Sequence, residues 1–206
     1  MQLAQGPRVR FSPFYRKSEA AGIRTATVYN RMVLPLATED PEADYEALTQ
    51  RVALWDVGCQ RQVQVQGPDA LKLCQYISAR DLSQLKIGVA KYAPLCDHQG
   101  RLINDPVALR VDEDTIWFSI ADSDILLWVR AVSGEREDNV EIIEPDVSPL
   151  AVQGPRATDT VAAVFGEWVR ELKFFHFKRI NHEGIPLVVC RSGWSKQGGF
   201  ELFLED

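Results

Sequence analysis

The hexapeptide Val65-Gln66-Gly67-Pro68-Asp69-Ala70 returns later in the chain as Val152-Gln153-Gly154-Pro155-Arg156-Ala157. In each copy a strand runs into a tight Gly-Pro turn and then a helix. Proline's fixed φ and missing N–H suit it to the first helical turn. Making this step twice confines the chain to few architectures, and two copies are too few for a solenoid. The repeat predicts an α+β fold of two modules with antiparallel or mixed sheets.

The remaining pattern fills in those modules. Thr27 to Met32 reads as a short strand carrying Tyr29. Asp40-Pro41 opens a helix, with Tyr45, Leu48, Val52 and Trp55 spaced along one face that packs on a sheet. Gln62 to Gln66 alternates as a strand, and the helix after Gly67-Pro68 runs to about Ile77. Between the copies Tyr92–Leu95, Leu102–Val111 and Thr115–Ile120 form a β-meander, with turns at Asp97–Gly100 and Asp112–Asp114. A helix from Ser123 to Val132 and a charged linker from Gly134 to Asn139 follow. Phe174–Ile180 and Ile185–Cys190 make a hairpin, and Phe200–Leu204 is a last strand. The first module combines residues 1–58 with 139–206, and the second spans 59–138.

Composition narrows the function. The 206 residues carry a net charge of -6 and no basic stripe, which argues against a nucleic-acid partner. No apolar run nears the ~20 residues that cross a bilayer, and no signal-peptide core opens the chain, so cytoplasmic placement is expected. Cys59, Cys74, Cys96 and Cys190 form no C-x-x-C pair and read as buried free thiols. His98, His176 and His182 lack metal-ligand spacing, so no metal is expected.

The chemistry concentrates in two stretches. Ser192 to Gly199 interrupts all periodicity with three glycines and four polar side chains around Trp194. Glu201 follows in a strand, sharing a face with Phe203. A carboxylate beside an indole suits a flat, amine-bearing ligand, which stacks on the ring and donates N–H groups to the acid. The plainer alternative is a hairpin with a long tip and an exposed glutamate. Asn104-Asp105-Pro106 is odd inside a strand, because proline removes a ladder bond, and it argues for an edge or bulge beside a cavity. No nucleophile elbow, zinc-protease helix, P-loop or dinucleotide fingerprint is present.

Tyr92, the Gly100–Asp105 turn and strand, Leu150–Pro155 and Ser192–Glu201 fall in the order seen in the T-protein (glycine-cleavage aminomethyltransferase) superfamily of folate enzymes. Within it, Asn104–Ala108, Ser119–Asp124, Glu144–Leu150 and Ser195–Glu201 closely resemble the dimethylsulfoniopropionate demethylases. The resemblance runs from about Ser12 to Leu204. It implies methyl transfer from a sulfonium to N5 of tetrahydrofolate. Tyr92 and Asn104 match catalytic and folate-site positions, Glu201 matches a pterin-binding glutamate, and Trp194 is a further folate-site candidate. Trp117, Trp194, Ser119, Tyr29 and Lys196 are candidates to hold dimethylsulfoniopropionate. The resemblance also implies that the family fold continues past Asp206 into a β-rich domain, and it allows a homo-oligomer.

One departure stands out. The resemblance implies an aspartate in aminomethyltransferases where this chain has Asn104, a carboxylate that assists transfer from an amine leaving group. A sulfonium is already cationic and leaves as a neutral thioether, so it needs no general acid, and transfer rests on placement. Asp105 lies on the opposite face of a regular strand from Asn104 and is not promoted to that role. The alternatives are an aminomethyltransferase or N-demethylase of the same superfamily, and a non-catalytic folate-binding module. An iron–sulfur assembly factor of related fold is disfavoured, since Ser192–Gly199 lacks the cysteine such proteins carry there.

Overall fold

A computed structural model describes residues 8–205, and these form two units. One is built from the residues up to Cys59 together with those from Val147 on, the other from Gln60 to Asp146. The part of the first module before residue 8, and Asp206, lie outside the described residues.

In chain order the elements are α1 (Tyr15–Ala20), β1 (Thr25–Tyr29), β2 (Met32–Ala37), α2 (Pro41–Gln50) and β3 (Ala53–Asp56). Then come β4 (Gln62–Gln66), α3 (Ala70–Ile77), β5 (Ala90–Tyr92), β6 (Leu95–Cys96), β7 (Leu102–Asn104), β8 (Val107–Arg110), β9 (Thr115–Ser119), α4 (Leu126–Arg136) and β10 (Glu141–Ile143). The chain ends with β11 (Val147–Gln153), α5 (Ala157–Phe165), a 3-10 turn at Glu167–Glu171, β12 (Phe177–His182), β13 (Ile185–Cys190) and β14 (Gly199–Glu205).

The first unit holds an antiparallel sheet ordered β12-β13-β14-β11-β3, and a hairpin of β1 and β2. One face of that sheet packs Val152, Leu187, Val189, Phe200 and Leu202 against Ala157, Val161 and Ala162 of α5. The second unit holds an antiparallel sheet ordered β10-β4-β9-β8-β5. Its core face, with Val63, Val65, Ala108, Ile116 and Phe118, meets Ala70, Leu73, Cys74 and Ile77 of α3 and Val129 and Val132 of α4. The α3 residues recur at helical spacing, so one stripe is buried, at roughly 1.5–3 kcal/mol for each large side chain. Both Gly-Pro units give strand, turn and helix as read from the sequence.

Several local expectations change. The strand read across Thr27–Met32 is a hairpin, because Asn30 and Arg31 both take positive φ (50° and 60°) and reverse the chain. Asp40 does cap α2, its side chain accepting from the Ala43 N–H at 3.0 Å. That helix ends at Gln50, however, and buries none of its residues. Val52 and Trp55 therefore leave the proposed helical face: Trp55 sits in β3, which pairs with β11. Gly134 lies inside α4 rather than in a linker. The chain re-enters the first unit at Val147 and not at 139, because β10 adds to the β4 edge of the second sheet.

Candidate functional site

In the first unit the site residues gather where β13 leads into β14. Cys190, Glu201, Ala151 and Trp55 form one row across four strands. Residues of β14 alternate, so Glu201 and Phe203 face away from the α5 core while Phe200 and Leu202 enter it. Glu201 is only 4% exposed, and Ser192 Oγ donates to its Oε2. Burial pushes the Glu201 carboxyl above its ordinary value, and the Ser192 hydroxyl draws it partly back. The neighbouring Cys190 thiol is raised to about 12 by burial, with the Glu201 charge adding to the shift.

The glycine-rich loop is pinned by a residue that sequence reasoning passed over. Gln153, at the end of β11, is buried and donates through Nε2 to the carbonyls of Ser192 (3.1 Å) and Phe200 (3.3 Å). Its Oε1 accepts from the Ser195 hydroxyl at 2.8 Å. Gly193 and Gly199 leave room for this amide: a Cβ would stand 2.1 Å from Gln153 Oε1 at Gly193, and 2.4 Å from the Val152 carbonyl at Gly199. The signal was present, since Gln153 sits in the repeated motif, but its role needs the fold. Trp194, on the same loop, is 54% exposed, and Lys196 is exposed in a left-handed conformation. Tyr29 lies apart in the β1–β2 hairpin, half-buried. A cavity of about 500 Å³ in this unit is walled by Phe14, Ile23, Leu36, Leu54 and Trp55, and none of the sequence-derived candidates lines it.

In the second unit, pairing decides which candidates meet. Ala90 pairs with Leu109, Tyr92 with Val107 and Leu95 with Asn104, and the register shifts between Leu95 and Cys96. Val107 pairs in turn with Ser119, and Ser119 with Gln62. Tyr92, Val107, Ser119 and Gln62 thus form a row on one face, with Leu109, Trp117 and Gln64 in the next row. Asp105 lies two residues before Val107 and joins that face, where it accepts the Tyr92 O–H at 3.1 Å. Tyr92 is 37% exposed. Partial burial, followed by the Asp105 carboxylate, holds its phenol above the ordinary value. Gln62 is buried and donates to Ser119 Oγ at 3.3 Å, while Trp117 is 3% exposed and donates its indole N–H to Gln64 at 2.9 Å.

Asn104 faces the other way. It is 3% exposed, and its Nδ2 donates to the carbonyls of Ala121 (3.1 Å) and Ser123 (2.9 Å) and to Ser123 Oγ (2.8 Å). Its Oδ1 accepts the Ala121 N–H at 3.0 Å. Arg61, also buried, pairs with Asp124 at 3.3 Å and with Glu144. The motifs around 104, 119–124 and 144 are therefore joined by side-chain bonds within one unit. Among the described residues no group of three or more His, Cys, Asp or Glu is placed to hold a metal ion, and no helix is long and apolar enough to cross a membrane.

Comparison with known proteins gives the following. The family described as GCVT N-terminal domain matches residues 16–206. The dimethylsulfoniopropionate demethylase DmdA of Ruegeria pomeroyi is 51% identical over 96% of this chain and 54% of its own length. An aminomethyltransferase of Bacillus cereus is 32% identical over 82% of this chain and 47% of its own. The chain spans about half the length of the curated relatives it matches. Among solved structures, the glycine cleavage system aminomethyltransferase T of Bartonella henselae superposes with a TM-score of 0.81 at 22% identity. That superposition covers 96% of this chain and 54% of the other, and it shows a shared fold.

Proposed function

The chain belongs to the family of the GCVT N-terminal domain, and on that premise we propose that it serves tetrahydrofolate-dependent demethylation of dimethylsulfoniopropionate, with folate N5 as methyl acceptor and methylthiopropionate as the other product. The observation that carries this reading is the 51% identity to a dimethylsulfoniopropionate demethylase over almost the whole chain.

The residues present fit the folate. Glu201 is a buried carboxylate with Ser192 as its hydrogen-bond donor, which leaves it acceptor capacity for the N–H groups of a pterin. Tyr92 is half-exposed and polar at its tip, and Trp194 offers an exposed ring for stacking. When bound, the folate supplies the nucleophilic nitrogen. The protein's part is to hold donor and acceptor close and aligned, since a departing thioether needs no proton. An aromatic face is worth ~0.5–2 kcal/mol to a cation such as the sulfonium. Trp194, Tyr29 and Trp117 are the candidate rings, Ser119 a candidate hydroxyl, and Lys196 the candidate partner of the donor carboxylate. The compartment we assign is the cytoplasm, and the reaction is assigned no metal.

One observation favours a second reading, aminomethyl transfer. Position 104 no longer argues against it, because Asn104 faces the core while Asp105 places a carboxylate against Tyr92. That acid is available to an amine leaving group. Incubating the protein with tetrahydrofolate and dimethylsulfoniopropionate decides between them. Formation of 5-methyltetrahydrofolate is expected; ammonia release from an aminomethyl donor, with no methyl transfer from the sulfonium, refutes the proposal.

A further inference from the structure

The amide of Asn104 has no N–H left to donate to a ligand. Both of its N–H bonds and its oxygen are committed to Ala121 and Ser123. The orientation is unambiguous, because two backbone carbonyls can only accept and the Ala121 N–H can only donate. Ser123 Oγ completes a ring by donating to the Ile103 carbonyl at 2.6 Å. This ring stands beside a gap in the hairpin's ladder. Ala93 donates to the Pro106 carbonyl at 2.8 Å, but Pro106 has no N–H to return, so the ladder loses a bond directly beside Asp105. We propose that Asn104 is a positioning residue: from the core face its amide replaces the missing ladder bond, ties the end of β7 to residues 121–123, and so aims Asp105 at Tyr92 on the opposite face.

The arrangement also states what an acid at position 104 does. A carboxylate there sets oxygen against the carbonyls of Ala121 and Ser123, which repels where the amide binds. Asn104→Asp is therefore expected to loosen the segment after β9 rather than to install a general acid. The carboxylate that meets Tyr92 is already present at 105.

The inference deepens the folate reading, but two of its readouts need no ligand. The first is hydrogen exchange at the Ala121 N–H. The second is the titration of Tyr92, followed by NMR of ring-labelled tyrosine. Asn104→Ala is expected to raise Ala121 exchange at least tenfold and to move the Tyr92 midpoint down toward its ordinary value. Asp105→Asn is expected to move the Tyr92 midpoint alike while leaving Ala121 protected, and the double variant should add nothing further at Tyr92. Should Asn104→Ala prove unfolded, Ser123→Ala removes one acceptor and the Ile103 bond, and it should shift both readouts the same way by less. An unchanged Tyr92 midpoint alongside lost Ala121 protection makes Asn104 merely structural and overturns the proposal, as does undiminished protection. In turnover, Asn104→Ala should raise KM for tetrahydrofolate more than it lowers kcat. Failure of the unsubstituted protein to bind folate would instead sink the functional reading and leave the exchange and titration results standing.

Discussion

Replacing Glu201 by glutamine should move stability and ligand binding in opposite directions. The carboxylate is 4% exposed, and Ser192 is its one hydrogen-bond donor among the described residues. Its folded pKa is raised by burial above the ordinary value of 4.5, so the native state holds this proton more tightly than the unfolded chain does. The contribution to stability is thus fully present below pH 4.5 and is lost as pH climbs from there through the raised value. As pH climbs through that raised value the ligand-free protein comes to carry a buried charge with a single donor, a cost of about 1–3 kcal/mol. Glutamine removes the charge and keeps an acceptor for Ser192. If about 1 kcal/mol of that cost is recovered, the melting temperature rises by about 2–4 °C for a chain of this size. Binding suffers in return. Two charge-assisted bonds to pterin N–H groups become neutral ones at a loss of about 1 kcal/mol each, or about thirtyfold in Kd. Thermal melts between pH 4 and 8 and calorimetric titration with tetrahydrofolate provide the two readouts. A variant that gains no melting temperature over the parent as pH rises across that range, or that binds folate as well as the parent, would refute the assignment of Glu201 as a costly acceptor kept for a ligand.

Three further outcomes are expected. Gly193→Ala pushes a methyl into the Gln153 amide at a backbone φ of 146°, so it should cost about 2–4 kcal/mol in chemical denaturation and weaken folate binding along with it. Phe118→Ala, in the middle of the second unit's core, should cost about 3–5 kcal/mol by the same measurement. Cys190, with its thiol raised to about 12, and fully buried Cys74, also shifted upward, should resist a thiol reagent at pH 8 until the protein is unfolded.

Much of the fold was legible because it rests on local rules. The Gly-Pro repeat marked β4 with α3 and β11 with α5, and the last meander strand appeared as β9, but Tyr92–Leu95 holds only the ends of β5 and β6, and Leu102–Val111 is broken at Asp105-Pro106 into β7 and β8. Asp40 capped its helix as its side chain allows. Reading failed where a local signal is ambiguous about period. Leu48, Val52 and Trp55 fit a helical stripe, yet β3 takes Trp55 because pairing with β11 outweighs propensity. Thr27–Met32 looked like one strand because nothing in Asn30-Arg31 announces a turn as strongly as glycine would.

For the candidate site, the sequence alone singled out the residues proposed to carry chemistry: a lone glutamate beside a glycine-rich loop, a tyrosine ahead of the meander turn, and an amide–acid pair followed by proline. It also determined that Asn104 and Asp105 point to opposite faces, since strand side chains alternate. Tertiary structure decided which of the two faces Tyr92. That choice hangs on pairing Tyr92 with Val107, and a shift of one residue would exchange the roles of amide and acid. Burial of Glu201 beneath Ser192 was settled in the same way, by strands brought together from distant parts of the chain. A residue's own neighbours in sequence set its alternation, whereas the partner strand sets what that alternation faces.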